Sequence, residues 1–159
     1  MILKGIIDED FVNYKIPSMN LIFPYCSFKC DKESGKQVCQ NSKLANSKNM
    51  EVSTENIINR YLSNSITHAV VMCGLEPLDS FSDVKEFIWL LRKNDCEDDV
   101  VIYTGYNEDE VTEYMEELKK FTNIVVKFGR YIDGQNHRHI DDVLGVSLAS
   151  DNQYAIRIS

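Results

Sequence analysis

The sequence lacks a long apolar run and an N-terminus of the secretory type. No stretch among the 159 residues approaches the ~20 apolar residues that a membrane-spanning helix needs. A secretory signal would begin with a basic flank and an apolar stretch, but this chain has Asp8, Glu9 and Asp10 near its start. We therefore expect a cytoplasmic protein with no membrane partner.

The chain also has few basic residues and little glycine or proline. Seventeen Lys and Arg residues stand against 25 Asp and Glu residues, so the net charge is −8. Proteins that bind nucleic acids usually carry a basic surface, and we expect no nucleic-acid partner here. With 7 Gly, 3 Pro and no low-complexity tract in a chain that is 43% hydrophobic, extensive disorder is excluded. The length predicts one domain over residues 1–159.

Apolar runs alternate with stretches of helical spacing along the chain. The predicted strands are residues 19–23, 68–72, 100–104, 124–128 and a last strand at 154–158, and the predicted helices are residues 53–64, 80–93 and 107–120. This alternation is typical of right-handed β-α-β units in an α/β protein. A closed eightfold barrel needs ~250 residues, so we expect an open or partial (β/α) barrel of parallel strands.

In such a fold, ligands bind at the carboxyl ends of the strands. Four segments follow predicted strands directly and are expected at that edge: residues 24–26, 73–77, 104–106 and 129–130. The first of these leads into a polar segment, residues 25–50, that has almost no apolar periodicity and is predicted to be a long loop. Loops of this length inside a compact domain are commonly functional.

This segment holds three of the five cysteines, Cys26, Cys30 and Cys39. They sit among Lys, Asp, Glu and Gln, which is unlike cysteines that merely fill an apolar core. Structural zinc sites prefer four ligands, whereas three thiolates leave one metal position open for a substrate or cofactor. An iron–sulfur cluster, which proteins also hold through cysteine thiolates, is therefore favoured over zinc, and both alternatives stay open.

The order of motifs along the chain resembles the radical S-adenosylmethionine superfamily, and more narrowly the activating proteins of anaerobic ribonucleotide reductase. The matching motifs are Cys39-Gln40-Asn41, Gly74-Leu75-Glu76-Pro77, Tyr103-Thr104-Gly105-Tyr106, Asp133-Gly134 and Ala149-Ser150-Asp151-Asn152-Gln153. Two features depart from the family pattern. Eight residues instead of two separate Cys30 from Cys39, and Leu75 replaces a glycine.

The resemblance implies a [4Fe–4S] cluster held by Cys26, Cys30 and Cys39, with S-adenosylmethionine bound to the free iron. Cleavage of the sulfonium would give a 5′-deoxyadenosyl radical. The implied cofactor-binding residues are Asn41, Gly74, Leu75, Glu76, Thr104 and Gly105, and no catalytic residue is implied beyond the cluster ligands. The implied activity is an oxidoreductase that creates a glycyl radical by hydrogen abstraction.

The same resemblance implies two protein partners. One is the large subunit of anaerobic ribonucleotide reductase, and the other is an electron donor such as flavodoxin or ferredoxin. Two alternatives remain. The first is a small radical enzyme that acts on a small molecule, similar to the deazaguanine synthase of queuosine biosynthesis. The second is a non-catalytic interaction module stabilised by zinc, in which Cys73 is a candidate fourth ligand.

Overall fold

The computed structural model describes residues 1–159 and contains ten strands and five α-helices. The strands are β1 (Ile2–Leu3), β2 (Gly5–Asp10), β3 (Ser18–Phe23), β4 (Met50–Glu51), β5 (Ala69–Gly74), β6 (Asp99–Tyr103), β7 (Ile124–Phe128), β8 (Ile140–Asp141), β9 (Val146–Ser147) and β10 (Tyr154–Arg157). The helices are α1 (Lys29–Ser34), α2 (Ser42–Ala45), α3 (Thr54–Leu62), α4 (Phe81–Lys93) and α5 (Thr112–Leu118). Short 3-10 helices occupy Pro77–Ser80 and Glu108–Glu110.

Six strands form one central sheet in the order β10-β7-β6-β5-β3-β2. The four inner strands, β3, β5, β6 and β7, are parallel, whereas the edge strands β2 and β10 are antiparallel to their neighbours. The predicted α/β fold with a mostly parallel sheet is confirmed. The sheet does not close on itself, and the predicted open or partial barrel is not confirmed.

Helices cover one face of the sheet. α3 begins at Ser53, whose side chain accepts a hydrogen bond from the Asn56 N–H group, a common way to satisfy the free N–H groups of a first turn. α4 buries an apolar face that includes Phe87 and Leu91. The two helices and α5 join the sheet in a cluster of 22 buried residues, which is the main core of the molecule. No helix is both long and apolar enough to cross a membrane.

Loops instead of helices cover the other face of the sheet. Tyr14, from the turn between β2 and β3, packs with Leu144 and Leu148 against alternate residues of the inner strands. This second cluster has eight buried residues and lies toward the amino ends of the strands. The carboxyl ends are left uncovered on this face, and the cavities described below lie there.

The segment 25–50, predicted to be structureless, contains the two short helices α1 and α2. Neither helix has a buried residue. An apolar stripe is the signal by which helices are recognised in a sequence, and its absence here explains why both were missed. We call residues 25–50 the cysteine loop.

Candidate functional site

Three cysteines of the cysteine loop face one small cavity at the carboxyl edge of the sheet. Cys26 follows β3, Cys30 lies in α1, and Cys39 lies in the irregular stretch after α1. All three line a cavity of about 70 Å³ and all three are free thiols. No group of three or more His, Cys, Asp or Glu side chains is close enough together to hold a metal ion as the structure stands. The thiols therefore share a cavity without converging on one point.

One carboxylate folds the long spacing between Cys30 and Cys39 back on itself. Asp31 Oδ1 accepts hydrogen bonds from the Val38 and Cys39 N–H groups, each at 2.8 Å. These bonds close the loop formed by the extra residues. They return Cys39 to the cavity that Cys26 and Cys30 also line.

The environment of Cys26 and Cys30 favours the protonated form of these two thiols. Burial raises the pKa of Cys26 to about 11. Burial, together with the neighbouring Cys39, raises the pKa of Cys30 to about 11. Cysteine must lose its proton to bind a metal, so a bound cation would have to supply the missing stabilisation of these thiolates.

A larger cavity of about 470 Å³ adjoins the small one. Both cavities are lined by Cys30, Cys39, Leu75, Gly105 and Tyr131. The volume lies in the ~300–1,000 Å³ range of small-molecule sites. Of the six predicted cofactor-binding residues, five line the larger cavity and Glu76 lines the smaller one; the five are Asn41, Gly74, Leu75, Thr104 and Gly105.

Glu76 is buried at the end of β5, where its carboxylate organises two neighbouring turns. It accepts hydrogen bonds from the Gly105 N–H group at 2.8 Å and from the Leu78 N–H group at 3.1 Å. Burial raises the pKa of Glu76 to about 7, although these hydrogen bonds act in the opposite direction. Burial thus favours the neutral form of this carboxyl, and a positive neighbour would favour its ionised form.

Gly74 and Asn41 connect the end of β5 to its surroundings. Gly74 has φ +105°, and a Cβ atom there would lie 2.8 Å from the Phe23 nitrogen, so only glycine fits. The carbonyl of Gly74, one of the implied cofactor-binding residues, accepts a hydrogen bond from Asn41 Nδ2 at 2.9 Å. Asn41 therefore attaches the cysteine loop to the central sheet.

Lys127 is a residue of this site that the sequence analysis missed. It lies in β7, is 6% exposed and lines the larger cavity. Its ammonium donates to the Gly129 carbonyl at 3.0 Å, and burial lowers its pKa to about 7 although the charge of Glu76 acts to raise it. The sequence did contain a signal for this residue, because a lysine interrupts the otherwise apolar run Ile124–Phe128. Side chains alternate between the two faces of a strand, so Lys127 lies on the same face as Val125.

An ion-pair network fastens α1 to the edge of the sheet. Arg130 is 7% exposed and pairs with Glu110 at 2.5 Å and with Glu33 of α1 at 3.1 Å. Lys29 of α1 pairs with the same Glu110 at 3.0 Å. The hydrogen bond from Arg130 is the main cause that lowers the pKa of Glu110 to about 2. The network holds the helix that carries Cys30.

Cys73 and Cys96 lie apart from the three cysteines. Cys73 lines the larger cavity but not the small one, and its thiol donates to Asn20 Oδ1 at 2.9 Å. Burial raises the pKa of Cys73 to about 12. Cys96 packs against the main core. Neither thiol joins the cavity shared by Cys26, Cys30 and Cys39.

An open, mostly parallel sheet with three cysteines around a cavity at its carboxyl edge defines an α/β protein with a thiol-lined site. The chain belongs to the 4Fe-4S single cluster domain family, whose model matches residues 18–153. The match extends from β3 to the residue before β10 and includes the whole cysteine loop. Comparison with curated proteins gave no significant match.

The residues at the cavity fit such a cluster. The donors that line it are thiols from one loop, and thiolates are the ligands that iron–sulfur clusters use. The two helices of the cysteine loop, α1 and α2, have no buried residue. The loop can therefore adjust around a cluster without disturbing the main core.

Proposed function

We propose that the protein is an S-adenosylmethionine-dependent iron–sulfur oxidoreductase that generates a glycyl radical on the large subunit of an anaerobic ribonucleotide reductase. One observation carries the proposal. A three-cysteine cavity adjoins a larger cavity, and the two together present one buried carboxylate, Glu76, and one buried ammonium, Lys127. The amino-acid end of S-adenosylmethionine carries the complementary ammonium and carboxylate.

Each residue then has a role that follows from its position. Cys26, Cys30 and Cys39 hold the cluster, which when bound supplies the electron that cleaves the sulfonium of S-adenosylmethionine. Glu76 attracts the ammonium group of the ligand and Lys127 attracts its carboxylate. These two charges are buried, so their attraction for the ligand is stronger than it would be in water.

The backbone around the larger cavity completes the binding site. Its wall includes Gly74 and Leu75 at the end of β5, and Thr104 and Gly105 directly after the neighbouring parallel strand β6. The hydroxyl of Thr104 accepts a hydrogen bond from the Tyr106 N–H group at 3.0 Å, which fixes the turn after β6. Asn41 keeps the cysteine loop close to this wall through its bond to Gly74.

A protein segment is the proposed substrate. The sheet is open, and the face with the cavity is covered by loops and not by helices. A glycine-containing loop of the reductase subunit can therefore approach the bound cofactor from this side. A glycine backbone presents the hydrogen to be removed without a side chain in the way.

The test compares Cys30→Ala with Cys96→Ala after reconstitution with iron and sulfide without oxygen. We expect the wild type and Cys96→Ala to hold about four irons, to form 5′-deoxyadenosine from S-adenosylmethionine, and to produce a glycyl-radical signal on the reductase subunit. Cys30→Ala should lose all three while its circular dichroism stays that of a folded protein, because Cys30 lies outside the main core.

Three outcomes would contradict the proposal. Cleavage retained in Cys30→Ala would remove the cluster assignment. One bound zinc and no colour in the wild type would favour the non-catalytic module. Cleavage stimulated by a low-molecular-weight compound, without the reductase subunit, would favour a radical enzyme for a small molecule.

A further inference from the structure

Cys30 and Cys39 form a pair within the set of three cysteines. Both thiols line the small cavity and the larger one, whereas Cys26 lines only the small one. Burial is the main cause that raises the pKa of Cys30, and the charge of the neighbouring Cys39 is the next cause. The two thiols therefore lie close enough to influence each other directly.

Cys26 is held apart from this pair by its own turn. Its sulfur accepts a hydrogen bond from the Phe28 N–H group at 3.2 Å. Burial is the main cause that raises the pKa of Cys26, and among its charged neighbours Glu76 and Asp79 act more strongly than Cys30. The surroundings of Cys26 are thus set by the edge of the sheet more than by the other two thiols.

Asp31 and Gly35 bring Cys39 back to Cys30. Helix α1 is followed by Gly35, whose φ of +69° is the left-handed conformation typical of glycine at the end of a helix. Beyond this glycine, Asp31 Oδ1 accepts a hydrogen bond from the Cys39 N–H group at 2.8 Å. Because Asp31 directly follows Cys30 in the chain, this bond holds the backbone of one cysteine beside the neighbour of the other.

The pair is accessible, and the segment that carries it can move. Cys30 and Cys39 are free thiols and are only partly buried. A disulfide needs the two Cα atoms about 4.4–6.8 Å apart. The cysteine loop can adopt this separation without a change in the main core, because none of its residues belongs to that core.

From this geometry we infer that Cys30 and Cys39 are a redox modification site, which forms a reversible disulfide in the cluster-free protein and leaves Cys26 free. The disulfide occupies two of the three proposed cluster ligands, so it closes the site to iron until it is reduced. This effect on cluster assembly rests on the proposed function, whereas formation of the disulfide depends only on the two thiols.

The oxidant in this step is a low-molecular-weight disulfide such as oxidised glutathione. The thiolate of one cysteine attacks a sulfur atom of this disulfide and releases one glutathione thiol. The second cysteine then attacks the mixed disulfide and releases the other glutathione thiol. The S–S bond of the oxidant is broken and the Cys30–Cys39 bond is formed. The two cysteines lose two electrons and two protons, and the two released thiols carry them.

The experiment maps the disulfide in the metal-free protein. The wild type is treated with oxidised glutathione without oxygen, its remaining thiols are alkylated in acid, and the chain is digested with trypsin. Cleavage at the lysines of the loop separates the three cysteines: residues 16–29 contain Cys26, residues 30–32 contain Cys30, and residues 37–43 contain Cys39. Mass spectrometry of the linked peptides therefore distinguishes all three pairings.

We expect the number of free thiols to fall from five to three, and the peptide of residues 30–32 to be linked to that of residues 37–43. Cys26→Ala should form the same link and Cys39→Ala should form none. In concentrated urea the preference should disappear, because the shorter separation of Cys26 and Cys30 then favours their pairing.

The role of Asp31 is tested by two matched substitutions in α1. Asp31→Ala should lower the equilibrium constant for the Cys30–Cys39 disulfide, measured against glutathione, about tenfold or more, because it removes a charged hydrogen bond that orients the pair. Glu33→Ala removes an acid that accepts no hydrogen bond from Cys39, and this constant should stay close to that of the wild type.

Iron uptake tests the consequence for the cluster. The oxidised wild type should take up less than half of the iron that the reduced protein takes up, and dithiothreitol should restore the difference. A link from Cys26 to either other cysteine, or five thiols that stay free or bind only glutathione, would overturn the inference. A protein that forms the Cys30–Cys39 link and assembles no cluster when reduced contradicts the proposed function alone.

Discussion

Two buried side chains of opposite charge define the site at the residue scale. Glu76 follows β5 and Lys127 lies in β7, with β6 between these two strands, and no ion pair within 4 Å joins the two side chains. Each is desolvated, which shifts the two pKa values toward each other, both to about 7. Burial of these two groups destabilises the folded protein. Binding of a ligand with complementary charges offsets this destabilisation.

The first prediction concerns the pH dependence that Glu76 gives to stability. Its pKa is about 7 in the folded protein and 4.5 in the unfolded chain, so the unfolded chain gives up the proton first as the pH rises. The contribution of Glu76 to stability is therefore complete below pH 4.5 and declines as the pH rises to about 7, by roughly 3 kcal/mol at most.

Urea unfolding of metal-free wild type and Glu76→Gln at several pH values measures this effect. We expect the wild type to lose stability relative to Glu76→Gln between pH 4.5 and 7, because glutamine does not titrate. If the difference in the free energy of unfolding between the wild type and Glu76→Gln stays constant over this range, a group other than Glu76 titrates there.

Glu76 and Lys127 also show which kind of site residue can be recognised from the sequence and which cannot. Glu76 was predicted because residues 74–77 match a motif of the family that the sequence resembles, and the structure places it at the cavity. Lys127 was missed because its neighbours in β7 are all apolar and its burial depends on strands from distant parts of the chain. The desolvation that shifts its pKa is a tertiary effect, and no local pattern encodes it.

The cysteine loop is the informative element of the fold. Its length departs from the spacing expected of the family it resembles, but chain length adds little to the entropy of closing a loop. Asp31 supplies the closure by bonding the Val38 and Cys39 N–H groups, and the ion pairs of Arg130 fix α1. The structure thus accommodates the extra residues within the loop and leaves the sheet unchanged.

The second prediction tests Asp31 with two substitutions. Asp31→Ala removes both hydrogen bonds to the backbone, and bonds of this charged type are worth about 1.5–3 kcal/mol each. We expect amide exchange at Val38 and Cys39 to accelerate and reconstituted iron to fall below half of the wild-type content. Asp31→Asn keeps an oxygen acceptor, so it should restore most of both.

Equal iron content in Asp31→Ala and the wild type would show that the loop closes without this carboxylate. Exchange that accelerates throughout the sheet, and not only in the loop, would mean that Asp31 stabilises the whole fold. The structure argues against this second outcome, since α1 has no buried residue.

Elements with strong local patterns and the parallel direction of the inner strands were predicted well, but the antiparallel direction of the edge strands was not. β3, β5, β6 and β7 are continuous apolar runs and were placed within one or two residues. β2 has the sequence Gly-Ile-Ile-Asp-Glu-Asp, which reads as polar because it is an edge strand with one exposed side. β10 was predicted, but only its pairing with β7 shows that it runs antiparallel.

At the scale of the whole molecule, stability and function occupy different parts of the sheet. The cluster of 22 buried residues lies between the sheet and its helices, whereas the cavities open at the carboxyl edge on the other face. Because the core does not depend on the loops that form the cavities, ligand binding adds to stability without being needed for folding.

The last prediction follows from this separation. A ligand that binds only the folded protein stabilises it by RT ln(1 + [L]/Kd), about 2.7 kcal/mol at a hundredfold excess over Kd. In a chain of this size each kcal/mol raises Tm by about 2–4 °C, so saturating S-adenosylmethionine should raise the Tm of the cluster-loaded protein by about 5–10 °C. Scanning calorimetry without oxygen measures the shift.

Cys30→Ala and Cys96→Ala provide the comparison for this shift. Cys96→Ala should behave as the wild type because Cys96 lines neither cavity. Cys30→Ala should show a shift of less than about 2 °C, since Glu76 and Lys127 alone would have to hold the ligand. Equal shifts in the two variants would mean that the larger cavity binds S-adenosylmethionine independently of the cluster. No shift in the cluster-loaded wild type would mean that the buried charges serve a different ligand.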